Sequence, residues 1–410
     1  MSLDFILNII QYGGAHVAIK YLRSLELRGK RAFIRVDFNV PYDKSMAITD
    51  DTRITATLPT IRHCVENGAR TILVSHLGRP DGKVVPKMSL APVAERLSSL
   101  LGIRVLFVDK PIGGGAAEML AGLKDGEVAL LENIRFYPEE EKNDPEFGKK
   151  LAELADVYIN DAFAAAHRGH ASNEAITHFV KECAAGFLLE NEIEYFKKAM
   201  VDPARPTTAI IGGVKISTKI DALKNILGKV DNLIIGGGMA YTFLKAMGHD
   251  VGKSILEADH VSTAGTIIDL AEKNKVRLVL PVDIVVAPDL NSADKKKLAR
   301  FDSIPADMEG VDIGPETIEL YAGIIRASKT VVWNGPLGAF EIPAFAAGTN
   351  AIAKIVAEAD CLSVIGGGDS VSAMNQSGFA DKMSYISTGG GAFLELLEGK
   401  TLPAIAALDK

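Results

Sequence analysis

Arg35 and Asp37 stand two apart in an apolar run, so as strand residues they share one face, and Asn39 follows just beyond. Polar groups close later apolar runs in the same way. His76 and Arg79 follow Thr71–Ser75, Arg135 follows Val128–Leu131, and His167, Arg168 and His170 follow Val157–Ile159. A guanidinium grips a carboxylate or phosphate through two parallel N–H groups, where lysine is a point charge. Twelve arginines precede Glu190 and four come after it, so this capacity is concentrated in the first half. The chemistry it serves is recognition of a small, multiply charged anion.

The second half carries a different pattern. The apolar run Leu362–Ile365 breaks into Gly366–Gly367–Gly368, Asp369 and Ser370, and further glycine triplets stand at Gly236–Gly238 and Gly389–Gly391. Glycine lets backbone N–H groups approach an anion closely, and an adjacent Asp suits a magnesium ion that bridges phosphates. Lys215 and Lys219 follow Gly212–Gly213, one turn apart at the expected start of a helix with the stripe Ile216, Ile220, Leu223 and Leu227. Cations there oppose the helix dipole, as does Arg53 at the start of its own expected helix. Such breaches of a local rule point to a compensating anion. Gly248–Ser254 resembles a P-loop, but its first glycine is one residue too close and no apolar strand leads into it.

These groups need a frame. From Arg31 onward, short apolar runs alternate with helix-length amphipathic segments, the pattern of parallel sheets with helices on both faces. Expected strands are Ala32–Val36, Thr71–Ser75, Arg104–Phe107, Val128–Leu131 and Val157–Ile159, then Thr208–Ile211, Leu233–Ile235, Arg277–Leu280, Val331–Trp333, Leu362–Ile365 and Ser384–Ser387. Asp51 is the expected cap of a helix bearing Ile54, Leu58, Ile61 and Val65. Ligands of open α/β sheets bind beyond the carboxyl ends of the strands, where the polar groups above would converge. Between the halves, a charged helical segment, Leu188–Ala199, runs into Asp202–Pro203–Ala204–Arg205–Pro206 and reads as a boundary and hinge.

Composition limits the alternatives. With 410 residues, two domains are the natural division. A charged fraction of 24% and a net charge of −7 argue against disorder and against a nucleic-acid surface. Cys64, Cys183 and Cys361 form no Cys-x-x-Cys pair, which argues for a reducing compartment and against a zinc site. Leu3–Ile10 is read as an extension or edge element that lacks the basic flank of a secretory signal. No run reaches the eighteen apolar residues of a membrane span, so a cytoplasmic monomer acting on small molecules, with neither nucleic-acid nor membrane partners, is expected.

Long motifs in a fixed order also resemble those of the phosphoglycerate kinase family from about Arg31 to Leu402. They include Arg35–Pro41, Ser75–Pro80, Leu131–Phe136, Asn160–Phe163 with His167–Arg168, Trp333–Gly338, Gly366–Ser370 and Ser387–Ala392. The resemblance implies two doubly wound parallel-sheet, Rossmann-like domains: residues 1–187 for 3-phosphoglycerate or 1,3-bisphosphoglycerate, and residues 207–400 for magnesium ADP or ATP. Residues 188–206 would be the hinge, with 401–410 packing back on the first domain. Asp37, Phe38, Asn39, Arg53, His76, Leu77, Gly78, Arg79, Arg135 and Arg168 would hold the glycerate. Gly212, Gly213, Lys215, Lys219, Gly236, Gly237, Asn334, Pro336, Gly338, Glu341 and Gly366–Ser370 (Gly366, Gly367, Gly368, Asp369, Ser370) would hold the nucleotide, with Asp369 at the metal. Arg53, Lys215, Lys219 and the N–H groups of Gly367 and Gly390 would stabilise the transferring phosphoryl. Thr218 stands where many members carry Asp, Phe393 where Ser is common, and Ala339 where a bulkier apolar residue is usual. A nucleotide-binding sensor without kinase activity and a dehydrogenase are the rival classes; the dehydrogenase lacks its Gly-x-Gly-x-x-Gly fingerprint.

Overall fold

The computed structural model describes residues 8–12, 15–110 and 112–409. The chain divides into two compact units. One runs to Ile193 and takes back the chain from Thr401, and the other spans Glu194–Lys400. Each is built on a six-stranded, wholly parallel sheet.

In the first unit the spatial order is Val105–Val108, Val128–Leu131, Arg70–Val74, Arg31–Val36, Val157–Asp161, Cys183–Ala185. The chain starts at the fourth of these, winds one way to the edge, then returns to the other side. The winding direction therefore reverses between Arg31–Val36 and Val157–Asp161. In the second unit the order is Arg277–Val279, Asn232–Ile235, Thr207–Ile211, Thr330–Asn334, Leu362–Ile365, Tyr385–Ile386. Here the reversal falls between Thr207–Ile211 and Thr330–Asn334. At such a switch point the two flanking loops diverge to opposite faces and leave a crevice at the carboxyl edge.

The central strands are continuous apolar runs because both faces are covered. In Arg31–Val36 every residue after the first is buried, and Thr207–Ile211 and Thr330–Asn334 are buried throughout. Ala32, Ile34 and Val36 meet Ile54, Leu58 and Ile61 of the helix Thr52–Glu66 in one core. Trp333, Ile210 and Ile234 meet Tyr321, Ile325 and Ile352 in another.

Some elements differ from the sequence reading. Cys183–Ala185 adds a short edge strand, and Lys297–Arg300, Asp283–Ala287 and Glu309–Ile313 form an antiparallel sheet of three. The expectation for Leu3–Ile10 falls outside the described residues up to Leu7, and Asn8–Tyr12 pairs with Ala15–Ile19 as a hairpin. Asp51 precedes the helix Thr52–Glu66, but its carboxylate is taken by Arg96, and Asp50 accepts from the Thr52 N–H instead. Lys215 and Lys219 do not share a helix. Ile216–Lys219 is a turn, and the helix is Ile220–Ile226 with Lys219 as its cap residue. Gly248–Ser254 follows the helix Met239–Ala246 rather than a strand, so it is no P-loop.

Asp161 ties the strand Val157–Asp161 to the helix Phe187–Phe196. Its Oδ1 accepts the N–H groups of Leu188 (2.9 Å) and Leu189 (3.2 Å), while Oδ2 has no hydrogen-bond partner. Burial pushes this carboxyl up from 3.8 to about 7, against the opposing pull of Thr60 and the two N–H groups. The folded state therefore holds the Asp161 proton more tightly than the unfolded chain, and this contribution to stability is lost as pH rises from 3.8 to about 7. Relative to Asp161→Asn, whose side chain stays neutral, the native protein should lose stability across that window by at most ~1.4 kcal/mol per pH unit. Denaturant titrations at several pH values check this, and a pH-independent difference would count against it.

Candidate active site

The crevice of the first sheet is lined from Asp37–Asn39, the loop after Val74, Arg135 and His167–Arg168. Asp37 is buried, and its Oδ2 accepts Arg53 Nη1 at 2.6 Å while Oδ1 accepts the Asn39 N–H. Burial opposes ionisation of this carboxyl, but His76, Arg53, Arg35 and the Asn39 N–H together hold it below its ordinary range. The Arg53 conflict with its helix dipole is thus partly relieved by an internal carboxylate. Asn39 Oδ1 accepts the Gly78 N–H, Ser75 Oγ accepts the Phe38 N–H, and Asn133 clasps Leu77 at both N–H and C=O. Gly78 has φ +64°, and a Cβ there would come 2.9 Å from Met88 Sδ. These bonds fix the two loops to each other.

Arg135 is 3% exposed, an unusual degree of burial for a guanidinium. Its Nη1 donates to the Gly78 carbonyl at 2.7 Å, and Nε lies 3.1 Å from Glu141 without hydrogen-bond alignment. Nη2 has no partner. Burial pulls the group down to about 10, with Glu141 opposing. Arg79 is exposed, and Arg168 donates from Nε to His167 Nε2. A buried guanidinium with unsatisfied N–H groups is costly unless an acceptor arrives, and an anion is that acceptor.

In the second unit, the loops at the reversal press on each other. Gly212 N–H donates to Asn334 O and Gly213 N–H to Pro336 O, and a Cβ on Gly212 would run into the Gly335 and Pro336 backbone. Gly237, at φ +67°, would meet Gly213 and Pro336, and Gly236 would meet Leu337. Asn334 accepts from Lys219 Nζ on one side and donates to Gly366 O on the other. Burial lowers Lys219 to about 8, with Asp369 opposing. Lys215 is exposed. Gly338 packs against Asp312, while Glu341 is exposed.

The helix Gly368–Ser377 begins beside the helix Gly390–Leu397, and a Cβ on Gly390 would stand 3.2 Å from Gly368 N. Two helix N-termini thus converge, each with unpaired N–H groups and a positive dipole end. Asp369 lies exposed in the first turn of one. Ser370 is buried, and its Oγ accepts the Gly335 N–H at 2.6 Å, so it braces the opposite loop rather than facing a ligand.

The family model described as phosphoglycerate kinase matches residues 22–400. The chain belongs to the phosphoglycerate kinase family. A phosphoglycerate kinase of Syntrophobacter fumaroxidans is 52% identical over 392 residues, covering 96% of this chain and 99% of the relative. The structure of phosphoglycerate kinase from Coxiella burnetii is 43% identical with a TM-score of 0.90, and that from Pyrococcus horikoshii OT3 is 32% identical with a TM-score of 0.81. Each covers 95% of this chain and 98% of its own. The chain is a glycolytic kinase, transferring a phosphoryl group reversibly from 1,3-bisphosphoglycerate to ADP to give 3-phosphoglycerate and ATP.

Sequence reasoning did not single out Glu140, Glu141, Ser172 or Asp312 as parts of the phosphoglycerate kinase crevices. Glu140, in the acidic stretch Glu139–Glu141, is fully buried. Asp312 accepts the Gly348 N–H and packs under Gly338, and burial raises its carboxyl to about 7. The loop crowding yields a test. Gly212→Ala should cost about 1–3 kcal/mol of stability, while Gly368→Ala, where a Cβ meets nothing within 4 Å, should cost far less. Denaturant unfolding of the two variants compares them directly, and equal midpoints would contradict the crowding.

Proposed function

We propose that transfer in this chain is direct and in line, with Asp37, Asn39, Arg53, His76, Arg79, Arg135 and Arg168 holding the glycerate and Lys215, Lys219, Asn334 and Gly366–Asp369 holding the nucleotide phosphates. The observation that carries this reading is the unsatisfied guanidinium of Arg135 beyond the carboxyl edge of one sheet, matched by the converging helix N-termini beyond that of the other. Both nucleophiles, the C1 carboxylate and the ADP β-phosphate, are already ionised, since a carboxylate titrates near pH ~4. No general base is needed. The task is positioning and neutralisation of charge.

Magnesium fits the donor set. No group of three or more His, Cys, Asp or Glu residues is placed to hold a metal among the described residues. A single exposed carboxylate, Asp369, suits an ion that keeps waters and takes phosphate oxygens for its other positions. When bound with the nucleotide, the ion would offset phosphate charge. Arg53, Lys215, Lys219 and the N–H groups of Gly367 and Gly390 would stabilise the transferring group.

The two sets of residues fall in different units, so the reading requires a closing motion about residues 188–206. Closure would also keep water from the acyl phosphate. The helix Phe187–Phe196 passes there into a π-helical turn, Lys197–Val201, an irregularity frequent at functional sites. The enzyme would work as a cytoplasmic monomer; no helix among the described residues is long and apolar enough to cross a membrane.

A coupled assay with 3-phosphoglycerate and ATP should show Lys219→Ala and Arg53→Ala slowed roughly a hundred- to a thousandfold, with ADP binding weakened much less. Near-normal turnover in both would remove these residues from the transfer step. Small-angle scattering with both ligands should show compaction relative to the free protein, and an unchanged profile would argue against closure.

A further inference from the structure

Behind the glycerate crevice lies a buried chain of polar groups that the transfer itself does not use. Arg35 is fully buried. Its Nε donates to Ser172 Oγ at 2.8 Å, Nη1 donates to the Val36 carbonyl, and Nη2 lies 3.2 Å from His76 Nδ1. The single Ser172 hydroxyl proton goes to Glu140 Oε1 at 2.6 Å, and Glu140 Oε2 accepts the Ser172 N–H at 2.8 Å. Tyr158 packs alongside, its hydroxyl donating to the Ser172 carbonyl.

The Arg35 links have one possible direction. A guanidinium has only donors, so the atom facing Arg35 Nη2 must be an acceptor. His76 Nδ1 therefore carries a lone pair, and the neutral ring keeps its one proton on Nε2. We propose that Glu140, acting through Ser172 and Arg35, is a positioning residue that fixes His76 as the neutral Nε2–H imidazole, making the ring an N–H donor to an anionic substrate oxygen. The donor role rests on the reading that His76 faces the glycerate.

The surrounding charges agree. Asp37 Oδ1 is 3.8 Å from His76 Nδ1, too far for a hydrogen bond, and already accepts the Asn39 N–H. Asp37 Oδ2 is held by Arg53. Against this one carboxylate stand Arg35, Arg135 and Arg168, and they add to burial in lowering His76 well below its ordinary value, with Asp37 alone opposing. On the far side, His170 Nδ1 lies 3.8 Å from Glu140 and is itself lowered to about 3 by burial and the same arginines. Glu140 is thus the counter-charge that lets Arg35 remain buried and aimed at His76. Without the Ser172 hydroxyl, Arg35 Nε loses its acceptor and the guanidinium is no longer fixed against His76, which frees Nδ1 to take the proton.

The test is long-range proton–nitrogen NMR of the full chain labelled with nitrogen-15 in histidine, the His76 signals being identified by their loss in His76→Gln. The native protein should show a proton on Nε2 and a bare Nδ1 across the neutral pH range, and a proton on Nδ1 would overturn the proposal. Ser172→Ala should shift the ring toward the Nδ1–H form or mixed tautomers and raise KM for 3-phosphoglycerate roughly tenfold, with KM for ATP unchanged. Ser172→Thr, which keeps the hydroxyl, should restore the native signature. A folded Ser172→Ala protein with an unaltered tautomer would overturn the chain from Glu140, and if that variant does not fold the native spectrum still decides the tautomer. Adding 3-phosphoglycerate to the native protein should move the Nε2 resonance; no movement would overturn the donor role and, with it, the placing of glycerate against His76.

Discussion

Like charges cannot be gathered at one sheet edge unless something answers them. The first unit brings Arg35, Arg53, Arg135 and Arg168 together at its sheet. Carboxylates from the protein do part of the work. Asp37 answers Arg53, Glu141 stands by Arg135, and Glu140 answers Arg35 through Ser172. What remains, chiefly Arg79, Arg168 and the unsatisfied face of Arg135, would be the capacity left for substrate in the proposed reading. The binding crevice is a deliberate shortfall of negative charge within an otherwise compensated cluster. Acidic residues are as much a part of this anion site as basic ones.

The second unit meets the same demand with few charged side chains. Its anion field comes from two helix N-termini and from backbone N–H groups brought close by glycines. The difference would suit the ligands proposed for them. A small glycerate would be gripped by planar, bidentate groups, whereas a nucleotide's phosphates would present many oxygens to a surface lying flat against them.

Much of this was legible in the sequence because it rests on local rules. Apolar runs that end in Arg, His or Gly located most strands of both sheets to within a residue or two, and the parallel arrangement followed from the helices between them. The crevices followed in turn from the rule for open sheets. The shortfalls have physical causes. Lys215 and Lys219 have the spacing of a helical turn, but Gly212–Gly213 and the packing of Ile216 hold that stretch in a non-helical turn. Asp51 has the right type for a cap, yet Arg96, far along the chain, takes its carboxylate. Glu140 was not singled out because Ser172 lies 32 positions from it and Arg35 lies 137 positions from Ser172, separations no local pattern spans. The antiparallel sheet around Asp283–Ala287 was missed although Ile284–Ala287 is apolar and largely buried, because its neighbours Lys297–Arg300 and Glu309–Ile313 interleave charged residues and form no apolar run.

One close approach carries a consequence for how such a chain can drift. Gly366 has no room for a side chain because the ring of Phe393 occupies the place where its Cβ would be, and that ring is held in turn by edge-on contact with Phe196 at 6.2 Å. Position 393 is one where the family resemblance implies Ser as the common residue. The two sites therefore cannot vary independently: a larger residue at 366 is permitted only after 393 has become small, whereas Phe at 393 locks 366 as glycine. Across a lineage, the order of those two changes decides which sequences are reachable.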